Sequence, residues 1–203
     1  MKNFLLVIIM ISMISQSFSQ EIGVRGGTLF SNKNTNYAAF GYGVFYKINK
    51  PTSKISFIIF ADRFEGKNFY SKSDPYNSQR LITNFKSVSG GVSILGTIIN
   101  NQFLAVRFGP SFTLDNVKMD GKTEVNPTFN YTEKYYQADL GIGALATLEY
   151  KNFLYKNLNL IAFINPSYYQ LLTKYSSSRP RNGWNEPNNF GLNTQLGISY
   201  KLP

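Results

Sequence analysis

From residue 20 onward the chain alternates between bulky apolar and small or polar positions with a period of two, the spacing of a β-strand that faces two different environments. The stretch 37–48 shows it best. Ala38, Phe40, Tyr42, Val44, Tyr46 and Ile48 fall on one face; Ala39, Gly41, Gly43, Phe45 and Lys47 fall on the other. In 134–150 the sequence sets Tyr136, Ala138, Leu140, Ile142, Ala144, Ala146, Leu148 and Tyr150 against Gln137, Asp139, Gly141, Gly143, Thr147 and Glu149. In 189–202 Phe190, Leu192, Leu196, Ile198, Tyr200 and Leu202 oppose Asn193, Gln195, Gly197, Ser199 and Lys201. The pattern predicts strands over about 21–30, 37–48, 54–64, 81–98, 102–114, 134–150, 157–173 and 189–202. The segments at 54–64 and 157–173 are apolar on both faces for a stretch, so alternation alone does not assign their facing.

The connections sort by length. Those at 49–53, 99–101 and 151–156 are short, whereas 31–36, 65–80, 115–133 and 174–188 alternate with them. Three of these four are long and rich in Asn, Ser, Lys and Pro. Both chain ends then lie on the short-turn side, the two-sided layout of an outer-membrane barrel with turns in the periplasm and loops outside. An eight-stranded barrel is only wide enough for packed side chains, so small and polar residues point in and the aromatic face points to lipid. The expected fold is all-β: an eight-stranded antiparallel up-and-down transmembrane β-barrel. A soluble lipocalin-like barrel requires the opposite facing. Pro110 and Pro166, in Gly-Pro-Ser and Asn-Pro-Ser contexts, occur at similar depth and predict a bulge or the outer rim, because proline removes a ladder hydrogen bond.

The first residues carry a separate signal. Lys2 precedes an apolar run at 4–14, and Ser15, Ser17 and Ser19 supply small residues before Gln20. This is the layout of a secretory signal peptide over 1–19, cleaved after Ser19, with a barrel domain over 20–203. The run is too short for a spanning helix, which takes about 20 residues.

Composition agrees with a lipid-facing surface. There are 17 Phe, 14 Tyr and one Trp, against 16% charged residues, and mean hydropathy is −0.19. A soluble domain must bury or shield so many rings, whereas a membrane barrel sets them in lipid and at its interfaces. With no cysteine there is no disulfide and no thiolate metal site; with no histidine the commonest general base and metal ligand are missing. The net charge of +10 is spread along the chain without a dense basic patch, which argues against nucleic acid. Gly141-Ile-Gly-Ala-Leu-Ala146 fits a loose dinucleotide pattern, but strand alternation runs through it where a helix would have to open, so no cofactor is expected. Asp115, Asp120 and Glu124 form a weak calcium candidate in an external loop, without EF-hand spacing.

Inward-facing polar residues make the more specific set. Glu21, Lys47, Glu149 and Lys201 are expected near the periplasmic end, with Arg25, Arg107, Asp139 and Gln195 nearer the middle. Buried charges must be paired, so a luminal polar network follows. It either fills the barrel or serves as a functional site. The external loops mix Lys67, Phe69, Tyr70, Lys72, Tyr76 and Arg80, then Arg179, Arg181 and Trp184, a composition suited to phosphorylated headgroups or a partner protein.

Val106-Arg-Phe-Gly-Pro-Ser-Phe112, Ala138-Asp-Leu-Gly-Ile-Gly-Ala144 and the closing Gln195-Leu-Gly-Ile-Ser-Tyr-Lys-Leu202 resemble the small bacterial outer-membrane β-barrel domain family, the OmpA/OmpX-like and PorT-like barrels. The resemblance implies a porin-like outer-membrane protein of a Gram-negative cell envelope. It implies a barrel-assembly signal at Gln195, Gly197, Tyr200 and Leu202, read by the barrel-assembly machinery. Expected partners are outer-membrane lipids, including lipopolysaccharide, and a protein met through the external loops. The leading function class is a non-enzymatic barrel acting in envelope structure, adhesion or docking. The alternatives are a soluble periplasmic ligand carrier and, with no histidine to serve it, an envelope enzyme.

Overall fold

The computed structural model describes residues 19–31, 37–49, 54–74, 77–125, 129–176 and 190–202. Residues 1–18 of the expected leader and 177–189, with Arg179, Arg181 and Trp184 of the last expected loop, lie outside the described residues. The strands are β1 (Ser19–Ser31), β2 (Tyr37–Asn49), β3 (Ile55–Asp74), β4 (Asn77–Asn100), β5 (Leu104–Val125), β6 (Phe129–Tyr150), β7 (Leu158–Ser176) and β8 (Phe190–Lys201). Each pairs antiparallel with its neighbour in sequence, and β1 pairs β8 from Glu21↔Lys201 to Ser31↔Gly191, which closes the barrel. Closure satisfies the backbone polar groups within the sheet, as a hydrocarbon surround requires.

Alternation decides the facing. Phe40, Tyr42 and Val44 stand outward at 72%, 67% and 55% exposure, while Phe45 and Lys47, on the other face, are buried. The two ambiguous segments now resolve. In β3, Ile58, Phe60, Asp62 and Phe64 point into the lumen; in β7, Asn159, Ile161, Phe163, Asn165, Ser167 and Tyr169 do so.

Three expectations are corrected. Residues 65–74, 77–80, 115–125 and 129–133, expected in loops, are ladder: β3 and β4 pair out to Asp74↔Asn77, and β5 and β6 out to Val125↔Phe129. Beyond the apolar band both faces of a hairpin can be polar, so the sheet continues after its alternation in hydropathy has faded. One wall therefore rises, with β3 to β6 of 20, 24, 22 and 22 residues against 13, 13 and 12 in β1, β2 and β8.

The lumen is also less polar than expected. Phe45, Phe60, Phe64, Phe85, Phe163 and Tyr169 are all buried inside it. They fit because glycines on adjacent strands leave them room. A Cβ on Gly91 would run into the Phe60 ring, and one on Gly41 into the Phe64 ring. Ring and glycine together fill about the space of two ordinary side chains, so alternating bulky and small residues still satisfies the narrow bore.

The prolines mark neither a bulge nor the rim. Pairing of β4 with β5 passes from Ser93↔Ser111 to Gly96↔Phe108 in one register, interrupted where Pro110 lies; β6 with β7 does the same between Gly143↔Ser167 and Ala146↔Ile164, around Pro166. Each proline leaves the ladder open on one side and pairs normally on the other, through Pro110↔Ala144 and Pro166↔Leu192. The register shifts occur elsewhere, at Thr97/Ile99 and Ala138/Asp139.

Candidate functional site

The lumen is layered. At the end carrying the short turns, Lys47 Nζ lies 2.8 Å from Glu21 Oε2 and 2.6 Å from Glu149 Oε2, and Arg107 Nη1 donates to the same Glu149 oxygen. Glu21 accepts further hydrogen bonds from Asn49 Nδ2 (3.0 Å), Asn159 Nδ2 (3.1 Å) and Ser199 Oγ (2.9 Å). These groups come from β1, β2, β5, β6, β7 and β8, so the cluster ties most of the barrel wall together. Just outside it, in the 151–157 turn region, Lys151 Nζ donates to Asn100 Oδ1 (2.5 Å) and the Asn101 carbonyl (2.6 Å), and partial burial lowers its pKa from the ordinary lysine value.

Above that network sits an apolar plug of Phe45, Ile58, Phe60, Leu95, Leu145, Ile161 and Phe163. Arg25 threads it. Its Nε and Nη2 donate to Asp62 Oδ1 and Oδ2 at 2.9 and 2.6 Å, a two-pronged pair that uses the planar fork of the guanidinium. The guanidinium carbon lies 4.4 Å from the Phe60 centroid and 4.9 Å from that of Phe163, within cation–π range. Farther out come hydroxyls and amides, with Ser93 bonded to Ser111 at 2.9 Å and Ser167 to Asn165 at 3.1 Å. Gln137 Nε2 then donates to Asp139 at 2.5 Å, and Ser87 donates to Asp115, which sits directly across from Asp139. A second apolar layer of Leu29, Ala39, Phe64, Phe85 and Val117 caps the series.

Of the residues expected in the luminal network, Lys47, Arg107 and Glu149 meet at one end with Glu21, and Arg25 forms a separate pair. Asp139 lies in a third group. Gln195 is buried, and neither amide atom has a hydrogen-bond partner within the described residues. Lys201 is exposed rather than luminal: it stands at the last position of β8, where the bore opens to solvent. The expected single network is thus several stacked ones. Asp62 and Asp115 join the luminal set although the sequence pattern does not assign them to it. Asp62 hides in a run apolar on both faces, and its period-two spacing from Phe60 and Phe64 is the only available signal. Asp115, expected as a loop ligand, is buried in β5; Asp120 instead faces outward beside Lys118, and Glu124's side chain lies outside the described residues. No group of three or more metal-ligating side chains occurs among the described residues.

In the closing strand, Gln195 and Gly197 face in and Tyr200 faces out. Leu202 follows the strand, its N–H donating to the Gln20 carbonyl at 2.8 Å. Gly197 is held to glycine by the wall: a Cβ there would lie 2.7 Å from the Val24 carbonyl oxygen and 2.9 Å from Arg25 Cβ.

The outer surface is organised as well. Val24, Val44, Ile59, Val92, Ile94, Ile164, Leu196 and Ile198 form an exposed aliphatic band. Phe57, Phe103, Tyr150 and Tyr200 stand exposed on its short-turn side; Phe30, Phe40, Tyr42, Phe112, Tyr136, Tyr168 and Phe190 stand on the other. An aliphatic belt between two aromatic girdles is the surface of a strand-built membrane span. At the second girdle and beyond it the outward face becomes charged: Arg63 lies across from Tyr42, Glu65 from Phe40 and Lys118 from Tyr136, with Lys86, Asp120 and Lys134 nearby.

Fold, packed lumen and girdled surface define the class: a small membrane-type β-barrel. Comparison of solved structures places particular proteins beside it. The structure is similar to Neisserial surface protein A (NspA), with a TM-score of 0.57 and 16% identity over 92% of this chain and 97% of that one. It is similar also to a major outer membrane protein from Thermus thermophilus, with a TM-score of 0.58 and 14% identity over 92% of this chain and all (100%) of that one. No family model matches the chain, and no curated protein matches it in sequence.

Proposed function

We propose that this protein is a non-enzymatic barrel of the bacterial outer membrane, exported by its leader, with a sealed lumen and a raised wall that serves envelope structure, adhesion or docking. The observation that carries the reading is the outward band of bare aliphatic side chains between two aromatic girdles. In water such a surface would be an aggregation site; in a bilayer it is the solvent-matched face. The layered lumen supports the rest. Charge pairs and two apolar layers fill the bore, so the projecting hairpins are the part left to meet a partner. Outer-membrane lipids including lipopolysaccharide, the barrel-assembly machinery and a protein met through the loops are the partners this reading assigns.

Cell fractionation with a gel-mobility test examines it. The expected result is recovery with the outer membrane and a mobility that changes on boiling, as a folded barrel resists detergent unfolding. Recovery in the soluble periplasm would instead favour the ligand-carrier alternative.

A further inference from the structure

The geometry points to a binding site for a phosphorylated membrane lipid on the outward face of β3 to β6, its phosphate held between Lys86 and Lys118 with Arg63 alongside. The inference rests on the outer-membrane reading and adds to it the residues that hold the lipid and the phosphate they hold it by.

Lys86 and Lys118 are direct cross-strand partners of the β4–β5 pair and share the outward face. Directly opposed side chains start about 4.5–5.5 Å apart at Cβ, and like charges placed so are destabilising. The neighbouring acids sit to either side of the pair instead of between its members. Glu65, across from Lys86 on β3, bonds Arg63 at 2.6 Å and reaches Lys86 only at 3.7 Å; Asp120 lies 3.7 Å from Lys118. Arg63, Lys86 and Lys118 against Glu65 and Asp120 leave an excess of positive charge on this face.

The position of the pair selects a lipid over a soluble anion. Lys86 lies two residues beyond Val88 on its strand, and Lys118 four beyond Leu114; both apolar residues are 56% exposed on the same face. An amphiphile placed there would bring its anionic group to the lysines and its chains to Val88, Val92, Phe112 and Leu114. Lysine stems reach along apolar surface while the ammonium stays at the polar boundary. Tyr136, directly across from Lys118, presents its ring 5.6 Å from the ammonium, an interfacial aromatic at the same level. A phosphate offers several strong acceptor oxygens and can bridge two ammonium groups through charge-assisted hydrogen bonds.

The test uses the full chain recovered folded from the envelope, with native mass spectrometry from neutral detergent counting bound lipid. The probes are lipid A carrying both phosphates, the same lipid with its phosphates removed, and inorganic phosphate as competitor. The expected result is binding of the phosphorylated lipid that falls about tenfold or more in Lys86→Gln/Lys118→Gln, as loss of two charge-assisted contacts implies. The single variants should fall between, and they stand in should the double variant fail the boiling-mobility check. Lys54→Gln/Lys156→Gln removes the same charge from exposed positions at the other end and should bind as the parent does. Unchanged binding in Lys86→Gln/Lys118→Gln, or an equal loss in Lys54→Gln/Lys156→Gln, would overturn the site. Equal binding of the dephosphorylated lipid would overturn the phosphate, and displacement by inorganic phosphate at matching concentration would overturn the lipid. A protein absent from the outer membrane fails at fractionation, which separates that outcome from failure of the site.

Discussion

Two charge clusters in this barrel are built from the same residue types and do opposite things. In the lumen, Lys47, Glu21, Glu149 and Arg107 have side chains between 1% and 8% exposed. On the rim, Arg63, Glu65 and Lys86 are between 46% and 52% exposed. A buried ion pair gains little over an apolar filling, because desolvation offsets the attraction; what it does is make each partner indispensable once the other is in place. An exposed pair is nearly neutral for stability and stays free to exchange one partner for another. Burial turns the first cluster into a clamp across the strands. Exposure leaves the second available to a ligand.

The largest effect should come from the clamp. Lys47→Met leaves Glu21 buried without its lysine, while Arg107 still holds Glu149, and should cost roughly 3–5 kcal/mol, read as the urea midpoint of reversible folding into detergent. Arg25→Met should be comparably harmful, whereas Arg25→Met/Asp62→Leu should recover most of the loss, since no charge is stranded. A double variant as unstable as the single would show that the pair contributes net attraction beyond compensation.

Lipid contact should rank next. Val44 lies between Tyr42 and Tyr46 on β2, and Val44→Arg should cost about 2–4 kcal/mol in the same assay in bilayers. Phe40→Arg, at the outer girdle, should cost about 0–1 kcal/mol. Equal costs would mean that the outward face has no depth profile, contrary to a membrane span.

Luminal packing gives a smaller effect. Gly91→Val drives a side chain into the space of the Phe60 ring and should cost about 1–3 kcal/mol through overpacking. Phe60→Leu in the same chain should return part of it, although the Phe112 carbonyl oxygen, which an added Cβ would also meet, limits the recovery. The smallest effect belongs to the rim: Arg63→Gln or Glu65→Gln should leave the unfolding midpoint where it was.

The same contrast explains what is legible in the sequence. Strands such as 37–48 can be read because lipid lies on one side and a packed bore on the other, and Phe40-Gly41-Tyr42-Gly43-Val44 records both. Two kinds of position cannot. In β3 the apolar plug brings Ile58 and Phe60 inward beside outward Phe57 and Ile59, so both faces look alike and Asp62 disappears among them. At 115–125 and 129–133 the ladder has left the apolar band, and polar runs that look like loop are paired strand. Residues of the lower network are legible as inward charges, but their partners are not, because the pairing of Lys47 with Glu149 depends on how the barrel closes. Lys201 has the right alternation for the lumen, yet it stands where the bore has already opened.

A barrel whose bore is shut by its own side chains should pass no porin-sized current, and conductance measures this. Eight strands leave a side-chain-filled interior, whereas aqueous porins have about sixteen to eighteen. In planar bilayers, with insertion of folded protein verified by its mobility before boiling, no stable porin-sized steps are expected. Steps of that size that persist, and that change ion selectivity in Asp139→Ala, would contradict the shut bore and make the lumen the functional site.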